Sequence, residues 1–209
     1  MYECSKAIMR RVRDSRFATR YFVGDGIDVG AGEDSLQQYR ELFPRMTSCL
    51  AWEWSQGDGQ LLATVPDGSL DFVHSSHSLE HLDDPREALA NWIRVLRPGG
   101  HLIILVPDED LYEQGVFPSS FNPDHKKTFT IGKKDSWSPR SVNVMEMANA
   151  FSHRAQVVKI ELLDATFLYD VARCDQTLTP IGECAIEIIM RKWTPAELAQ
   201  KGRLPAKAS

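Results

Sequence analysis

Short apolar runs alternate with helical patterns along most of this chain. The runs that predict strands are GIDV at 26–29, SCLAWEW at 48–54, LDFVHSS at 70–76 and HLIILVP at 101–107. The last run is apolar on both faces, which is typical of a strand in the middle of a helix-covered parallel sheet. Strands that alternate with helices indicate parallel pairing through right-handed crossovers, so an α/β fold is predicted.

The best-marked helix follows the strand at 70–76. Asp84 is its predicted N-cap, Pro85 its first residue, and Glu87 stands three residues after the cap. This arrangement satisfies backbone N–H groups that are otherwise unpaired, which stabilises the helix by about 1 kcal/mol. Apolar residues then recur at three- and four-residue spacing and predict a stripe that packs on the sheet, formed by Ala88, Leu89, Trp92, Ile93 and Leu96.

A different kind of segment follows the strand at 101–107. Residues 108–140 are rich in turn formers, charges and aromatic rings and show no sustained period, and a stretch this long is usually functional. A helix is predicted from Ser138 through Phe151. Two further strands are predicted at 155–165 and 183–192.

Length and composition indicate a single globular domain, which we place at 1–193 with a C-terminal tail at 194–209. Hydrophobic residues make up 43% of the chain and charged residues 25%, which excludes a disordered protein. No apolar run reaches the roughly 18 residues of a membrane span, and the N-terminus lacks the apolar region of a secretion signal. The four cysteines form no CxxC pair, which disfavours a structural zinc site or a disulfide framework and agrees with a reducing compartment. From the apolar runs, the N-terminus and the cysteines together we expect a cytoplasmic protein without a membrane partner.

The formal net charge of −5 disfavours nucleic acid as a partner. One segment departs from this balance, because six of the 24 basic residues fall between Lys6 and Arg20. Such a run is usually a solvated helix face, and the alternative is a patch that binds phosphate or an anionic partner. No feature of the sequence specifies the oligomeric state.

The strand at 26–29 delivers Asp28, Gly30 and Gly32 into a turn, a general device for holding a small ligand at the carboxyl end of a parallel sheet. Glu33 and Asp34 then stand where a dinucleotide-binding turn approaches a pyrophosphate. Each contact of a carboxylate with a phosphate at about 4 Å costs about 1 to 4 kcal/mol, depending on the dielectric. The turn therefore favours a cation, such as the sulfonium and ammonium of S-adenosylmethionine, over NAD. The alternative is that both acids only complement a helix dipole.

The second predicted strand adds further candidates. Glu53 lies at its end, where an acid accepts hydrogen bonds from ribose hydroxyls. Asp58, within GDGQ, is a candidate for the adenine edge. Trp52 and Trp54 flank Glu53 and offer either a stacking face or core packing.

The run DGSLDFVHSSHSLEHLDDPREALANWIRVLRPGGHLIILVPDEDLY, together with GIDVGAG, resembles the central part of class I S-adenosylmethionine-dependent methyltransferases over about residues 24–110. The resemblance implies a Rossmann-like, doubly wound, mostly parallel sheet of order 3-2-1-4-5-7-6 with an antiparallel last strand. It implies S-adenosylmethionine as cofactor. It also implies a set of cofactor-binding residues: Asp28, Gly30, Ala31 and Gly32 for the methionine part, Glu53 for the ribose, Asp58, Gly59 and Gln60 for the adenine, and Ser76 and His77 along the site.

The chain departs from the family pattern at two places. Asp34 replaces the third glycine of the turn, and only four residues separate Glu53 from Asp58, where the family has a helix and most of a strand. Whether the third strand is present therefore stays open. The shortened segment also resembles methyltransferases of polysaccharide and surface-glycan biosynthesis.

The histidines do not predict a metal site. His74, His77 and His81 have helical spacing, but the first belongs to a strand and the last to the start of a helix, so they share no face. Methyl transfer to a hydroxyl needs a base, and His125 and Asp108, both in the 108–140 segment, are the candidate catalytic residues.

We therefore expect a methyltransferase that acts on a hydroxyl of a small-molecule or glycan-type acceptor. One alternative is a nicotinamide-dependent oxidoreductase or epimerase, which the acid pair in the glycine turn disfavours. Another is a module that binds the cofactor without catalysis. No motif selects among hydroxyl, carboxyl and amine acceptors.

Overall fold

A computed structural model describes residues 2–204. Six strands form one sheet in the order β2-β1-β3-β4-β8-β7, and two short strands, β5 and β6, pair separately. The strands are β1 (Gly24–Val29), β2 (Met46–Trp52), β3 (Leu70–Ser76), β4 (Leu96–Pro107), β5 (Thr128–Thr130), β6 (Ser141–Asn143), β7 (Ala155–Leu163) and β8 (Ala185–Lys192). The helices are α1 (Glu3–Arg13), α2 (Pro85–Val95), α3 (Val144–Asn149) and α4 (Pro195–Ala199). None of the helices in the described part is long and apolar enough to cross a membrane.

The sheet is parallel from β2 to β4 and antiparallel at β8 and β7. This confirms the predicted Rossmann-like fold with antiparallel pairing at the last strand. Within residues 2–204, β2 is the edge, and the strand that the family pattern places beyond it is absent. The chain between Glu53 and Leu70 instead runs through turns and buries Leu62 and Val65 against the core.

Apolar residues cover both faces of the sheet. One face packs against α2, whose Trp92 and Ile93 are fully buried, and Asp84 caps this helix as predicted. The other face packs against aromatic side chains that include Phe17, Phe22 and Phe43. The sheet is thus covered on both faces, and its carboxyl edge is where the loops can hold a ligand.

The basic N-terminal segment is not a solvated face along its whole length. Arg11 is fully buried, its Nη1 lies 3.1 Å from Nε2 of His74, and its Nε lies 3.5 Å from a carboxylate oxygen of Glu187. Arg10 donates to Glu187 and Glu183. Both arginines anchor α1 to β8, and the expectation of solvated side chains holds only for exposed members such as Arg13.

The helix predicted from Ser138 begins later, at Val144. Residues 141–143 pair with β5, and the side chain of Asn143 caps α3 by accepting from the backbone N–H of Glu146. Strand pairing is a long-range contact, which local periodicity does not reveal. In the predicted tail, residues 195–199 form α4 with a capping box at Thr194, and residues 205–209 lie outside the described part.

Candidate functional site

The ends of three parallel strands meet at one edge of the sheet. Val29 ends β1, Trp52 ends β2 and Ser76 ends β3. The backbone N–H of Gly30 donates to the carbonyl of Trp52 at 2.9 Å, and that of Gly32 donates to Oε1 of Glu53 at 2.6 Å. The glycine turn and the acid after β2 therefore form one wall of the site.

Gly30 has no room for a side chain. Its φ is +68°, and a Cβ there would lie 2.4 Å from Oγ of Ser78. The glycine thus allows the turn after β1 to approach the loop after β3 closely.

Asp28 holds this turn in place through hydrogen bonds of its side chain. Its buried carboxylate lies 2.6 Å from Nδ1 of His74 and accepts from the backbone N–H of Leu36 at 2.7 Å. The guanidinium of Arg11 faces the other ring nitrogen of His74 and can only donate. The ring hydrogen of His74 therefore sits on Nδ1, where it donates to Asp28.

Two adjoining cavities open at this edge. The outer cavity, of about 310 Å³, is lined by Trp52, Glu53, Trp54, Gly57, Gly59 and others. The inner cavity, of about 140 Å³, is lined by the glycine turn and by Glu3, Ser76, Glu80 and His125, among others. Gly30, His77 and His81 line both cavities, so the two adjoin one another.

The inner cavity is closed on one side by α1, whose Glu3 and Cys4 line it. The backbone N–H of Ser5 and the hydroxyl of Tyr39 both donate to Asp34, at 2.8 and 2.6 Å. The acid that replaces the third glycine thus ties α1 to the turn.

The cavities carry carboxylates but no basic long side chain. Asp28, Asp34, Glu3 and Glu80 line the inner cavity and Glu53 the outer one, and within the described residues no lysine or arginine lines either. A site of this composition favours a positively charged ligand and disfavours a pyrophosphate.

Glu80 and His77 form a buried pair in the inner cavity, with His77 Nδ1 3.5 Å from Oε1 of Glu80. Burial acts to raise the pKa of Glu80, but His77, His125 and His81 together outweigh it and hold that pKa below its ordinary value. Burial likewise acts to lower the pKa of His77, and the carboxylates of Glu3 and Glu80 raise it above its ordinary value. His77 also has a positive φ of 52°, so its backbone is strained where its side chain enters the site.

His125 is held by a second carboxylate. Its Nδ1 lies 2.7 Å from Oε1 of Glu113, and both side chains are buried. Its ring packs near the rings of Tyr112 and His81, with centroids 5.2 and 5.0 Å apart. Glu113 fixes the orientation of the imidazole, and Nε2 makes no hydrogen bond within the described residues and lies 3.8 Å from Oε1 of Glu80.

Most of the predicted cofactor residues lie together at this edge. Seven of them besides Asp28 line one or both cavities: Gly30, Ala31, Gly32, Glu53, Gly59, Ser76 and His77. Asp58 and Gln60 line neither cavity. Asp58 accepts from the backbone N–H of Gln60, and the Gln60 amide donates to Glu87 and accepts from the backbone of Asp84, which ties this loop to α2.

The two predicted catalytic residues are separated. His125 lines the inner cavity, whereas Asp108 lines neither cavity and caps the turn at 109–113. Its Oδ1 accepts from the backbone N–H groups of Asp110 and Leu111 at 2.9 and 3.1 Å. Burial, opposed by these two hydrogen bonds, raises the pKa of Asp108 to about 6.

Sequence reasoning missed several residues of the inner cavity. Glu3 and Cys4 come from α1 and Asn122 from the long loop, and Glu113 supports His125 from behind. None of these lies in a motif, and their neighbours in space are distant in the chain. Only the fold brings them to the site.

Comparison with known proteins finds similarity over the part of the chain that carries the glycine turn and the ends of β1, β2 and β3. The methyltransferase domain family matches residues 17–104. An uncharacterized 37.1 kDa protein in transposon Tn4556 of Streptomyces fradiae is 44% identical over 102 residues, which are 42% of this chain. The matched region spans only 29% of that relative.

Solved structures share the fold. A SAM-dependent methyltransferase from Archaeoglobus fulgidus superposes with a TM-score of 0.58 at 18% identity, covering 92% of this chain and 95% of that one. The YcgJ protein of Bacillus subtilis gives a TM-score of 0.54 at 17% identity, covering 90% and 97%. At these identities the likeness concerns the fold.

Proposed function

We propose that this chain, whose residues 17–104 match the methyltransferase domain family, is a class I S-adenosylmethionine-dependent methyltransferase that transfers a methyl group to a hydroxyl of a small-molecule or glycan-type acceptor. The observation that carries the proposal is the pair of adjoining cavities. The outer one is lined by Glu53 and Gly59, two of the residues expected at a nucleoside, and the inner one is lined by the buried His125, whose Nε2 makes no hydrogen bond in the part of the chain that the structure describes.

The residues of the outer cavity fit an adenosine. Trp54 is 81% exposed and Trp52 lies at the cavity wall, so aromatic faces are available for stacking. Glu53 accepts from Gly32 through Oε1 only, which leaves Oε2 to accept from ribose hydroxyls. A Cβ at Gly59 would lie 2.9 Å from Val29, so that this loop needs glycine to approach the strand end.

The inner cavity fits the methionine end of the same molecule. Its carboxylates suit an ammonium and a sulfonium. S-adenosylmethionine, when bound, supplies an electrophilic methyl group on a positively charged sulfur. Ser76 Oγ is buried without a hydrogen-bond partner in the described part of the chain, as expected of a group that meets a ligand.

The chain's own residues would orient the acceptor and take its proton. The long loop brings Asn122 and His125 to the inner cavity, where the hydroxyl must lie. His125 is the proposed base because Glu113 orients it and its Nε2 is free. Alignment of acceptor and donor supplies the rest of the acceleration.

Two measurements test this proposal. Isothermal titration should detect S-adenosylhomocysteine and not NADH, and Glu53→Gln should weaken the binding about tenfold, because one charge-assisted hydrogen bond is worth about 1.5 kcal/mol or more. Tight NADH binding without S-adenosylhomocysteine binding would support a nicotinamide-dependent enzyme instead.

Methyl transfer is then followed with labelled S-adenosylmethionine and a panel of hydroxyl, carboxyl and amine acceptors, glycans included. His125→Ala should reduce the rate at least a hundredfold with little change in S-adenosylhomocysteine affinity. His153→Ala, at an exposed position, is the matched control. Cofactor binding with no transfer to any acceptor would indicate a non-catalytic module.

A further inference from the structure

We propose that Glu80, His81 and His125 form a binding site for a divalent transition-metal ion at the acceptor end of the inner cavity. The role of this ion in catalysis rests on the proposed function. The ion would change how the acceptor hydroxyl is activated. One ligand atom from each of the three side chains lies within 4.8 Å of the others.

The first observation is a buried carboxylate that makes no hydrogen bond with any residue that the structure describes. Glu80 has no exposed surface and lines the inner cavity, and neither of its oxygens has a hydrogen-bond partner among the described residues. Oε1 lies 3.5 Å from His77 and 3.8 Å from His125, which are electrostatic contacts rather than hydrogen bonds. A buried carboxylate left in this state is expected to meet a cation or a donor from a ligand.

The second observation is independent and concerns both histidines. Nδ1 of His125 lies 2.7 Å from a carboxylate oxygen of Glu113, and Nδ1 of His81 lies 3.1 Å from the backbone carbonyl of Asp124. In each ring the acceptor engages Nδ1, so Nε2 is the nitrogen that can face an ion. Metal-binding histidines are held in this way, by a carboxylate or carbonyl on the other ring nitrogen.

The dimensions allow an ion after a small movement. Ligand atoms of a tetrahedral zinc ion lie about 3.3 Å from one another, given bonds of about 2.0 Å. The 3.8 Å between Nε2 of His125 and Oε1 of Glu80 must shorten by about half an ångström. His77 faces Oε1 of Glu80, so the other carboxylate oxygen, Oε2, is also available to bind the ion.

The donor set selects the class of ion. Two imidazole nitrogens and one carboxylate suit zinc, iron, cobalt or manganese, whereas calcium and magnesium prefer oxygen ligands. Three protein ligands leave a coordination position open. An acceptor hydroxyl in that position would lose its proton to water more easily, form its bond to the methyl carbon as the carbon–sulfur bond breaks, and leave the electron pair on sulfur. His125 would then be a ligand rather than the base.

The test measures metal binding without reference to activity. Chelator-treated protein is titrated with Zn²⁺ by calorimetry and with Co²⁺ by its visible absorption. We expect one ion per chain with micromolar affinity, and a loss of at least tenfold in Glu80→Gln, His81→Ala and His125→Ala. Glu113→Gln should weaken binding 10- to 100-fold, because it removes the support of His125.

Two variants control for surface binding. His153→Ala and Cys174→Ser alter exposed potential ligands and should leave the affinity unchanged. Affinity that survives Glu80→Gln and His125→Ala, or that is lost in either control, would overturn the proposal. Full methyl transfer by chelator-treated protein would refute the catalytic role of the ion and leave His125 as the free base. Metal binding in a protein that fails to bind S-adenosylhomocysteine would refute the proposed function and leave the ion site standing.

Discussion

Replacing Asp108 by Asn should make the protein more stable at neutral pH and remove part of its pH dependence. The Asp108 side chain is 5% exposed, and its pKa is raised from 3.8 to about 6. A raised acid pKa means that the folded state holds the proton more tightly than the unfolded state. At 1.36 kcal/mol per pKa unit, ionised Asp108 destabilises the fold by about 3 kcal/mol.

The sign of the pH dependence follows from the same shift. Below about pH 4 Asp108 is protonated in both the folded and the unfolded state, so it adds no pH dependence to the free energy of unfolding. Between about pH 4 and pH 6 the unfolded state ionises first, and stability falls as pH rises. Above pH 6 the full destabilisation is present.

The Asn variant keeps both hydrogen bonds of the cap, because the backbone N–H groups of Asp110 and Leu111 donate to the same oxygen, Oδ1. Urea denaturation followed by tryptophan fluorescence, at half-unit steps from pH 4 to pH 8, gives the free energy of unfolding of both proteins. The advantage of the variant should grow from about zero at pH 4 to about 3 kcal/mol at pH 8.

Asp84→Asn is the matched control. Asp84 caps α2 through the same two-donor geometry, but it is exposed. Its replacement should cost a few tenths of a kcal/mol at most, with no gain as pH rises. A flat difference across pH for Asp108→Asn, or a loss of stability at pH 8, would refute the account of a buried charge on the cap.

Two further outcomes are expected. Gly30→Ala should abolish S-adenosylhomocysteine binding in calorimetry, because its Cβ would lie 2.4 Å from Oγ of Ser78, whereas Gly115→Ala, also at positive φ but with open space around it, should bind normally. Arg11→Leu should lower the free energy of unfolding by about 3 kcal/mol, because it leaves buried Glu187 and His74 without this partner, and exposed Arg13→Leu should change it by less than about 0.5 kcal/mol. Equal effects of Gly30→Ala and Gly115→Ala on binding would mean that backbone strain alone matters. Equal effects of the two arginine variants on the free energy of unfolding would mean that burial of Arg11 does not contribute to stability.

Local signals predicted the part of the candidate site that we propose for the cofactor. The turn after Asp28, the acid Glu53 and the loop at Ser76 each follow a recognisable strand, and parallel strands bring their carboxyl ends to one edge. The missing strand was indicated in the same way, since too few residues follow Glu53 to build it. These features depend on contacts between neighbours in the chain and on the rule that parallel strands place their carboxyl ends at one edge of the sheet.

The part of the candidate site that we propose for the acceptor required the tertiary structure. His125 was singled out by its residue type, but its partner Glu113 and its neighbour Glu80 are joined to it only by the path of the long loop. Asp108 lies in the same loop and turns inward as a cap. Residue type and spacing do not show that His125 lines the cavity while Asp108 caps a turn, because the path of the loop decides both positions.

The amino-acid sequence by itself determined the α/β order of the elements, the capped helix α2 and the acidic glycine turn, because hydrophobic period, capping and backbone freedom act over a few residues. Only the tertiary structure decided that α1 closes the inner cavity, that Arg11 is buried and that Glu80, His81 and His125 converge. Burial and the distances between charges depend on segments far apart in the chain, and these quantities set the chemistry of the site.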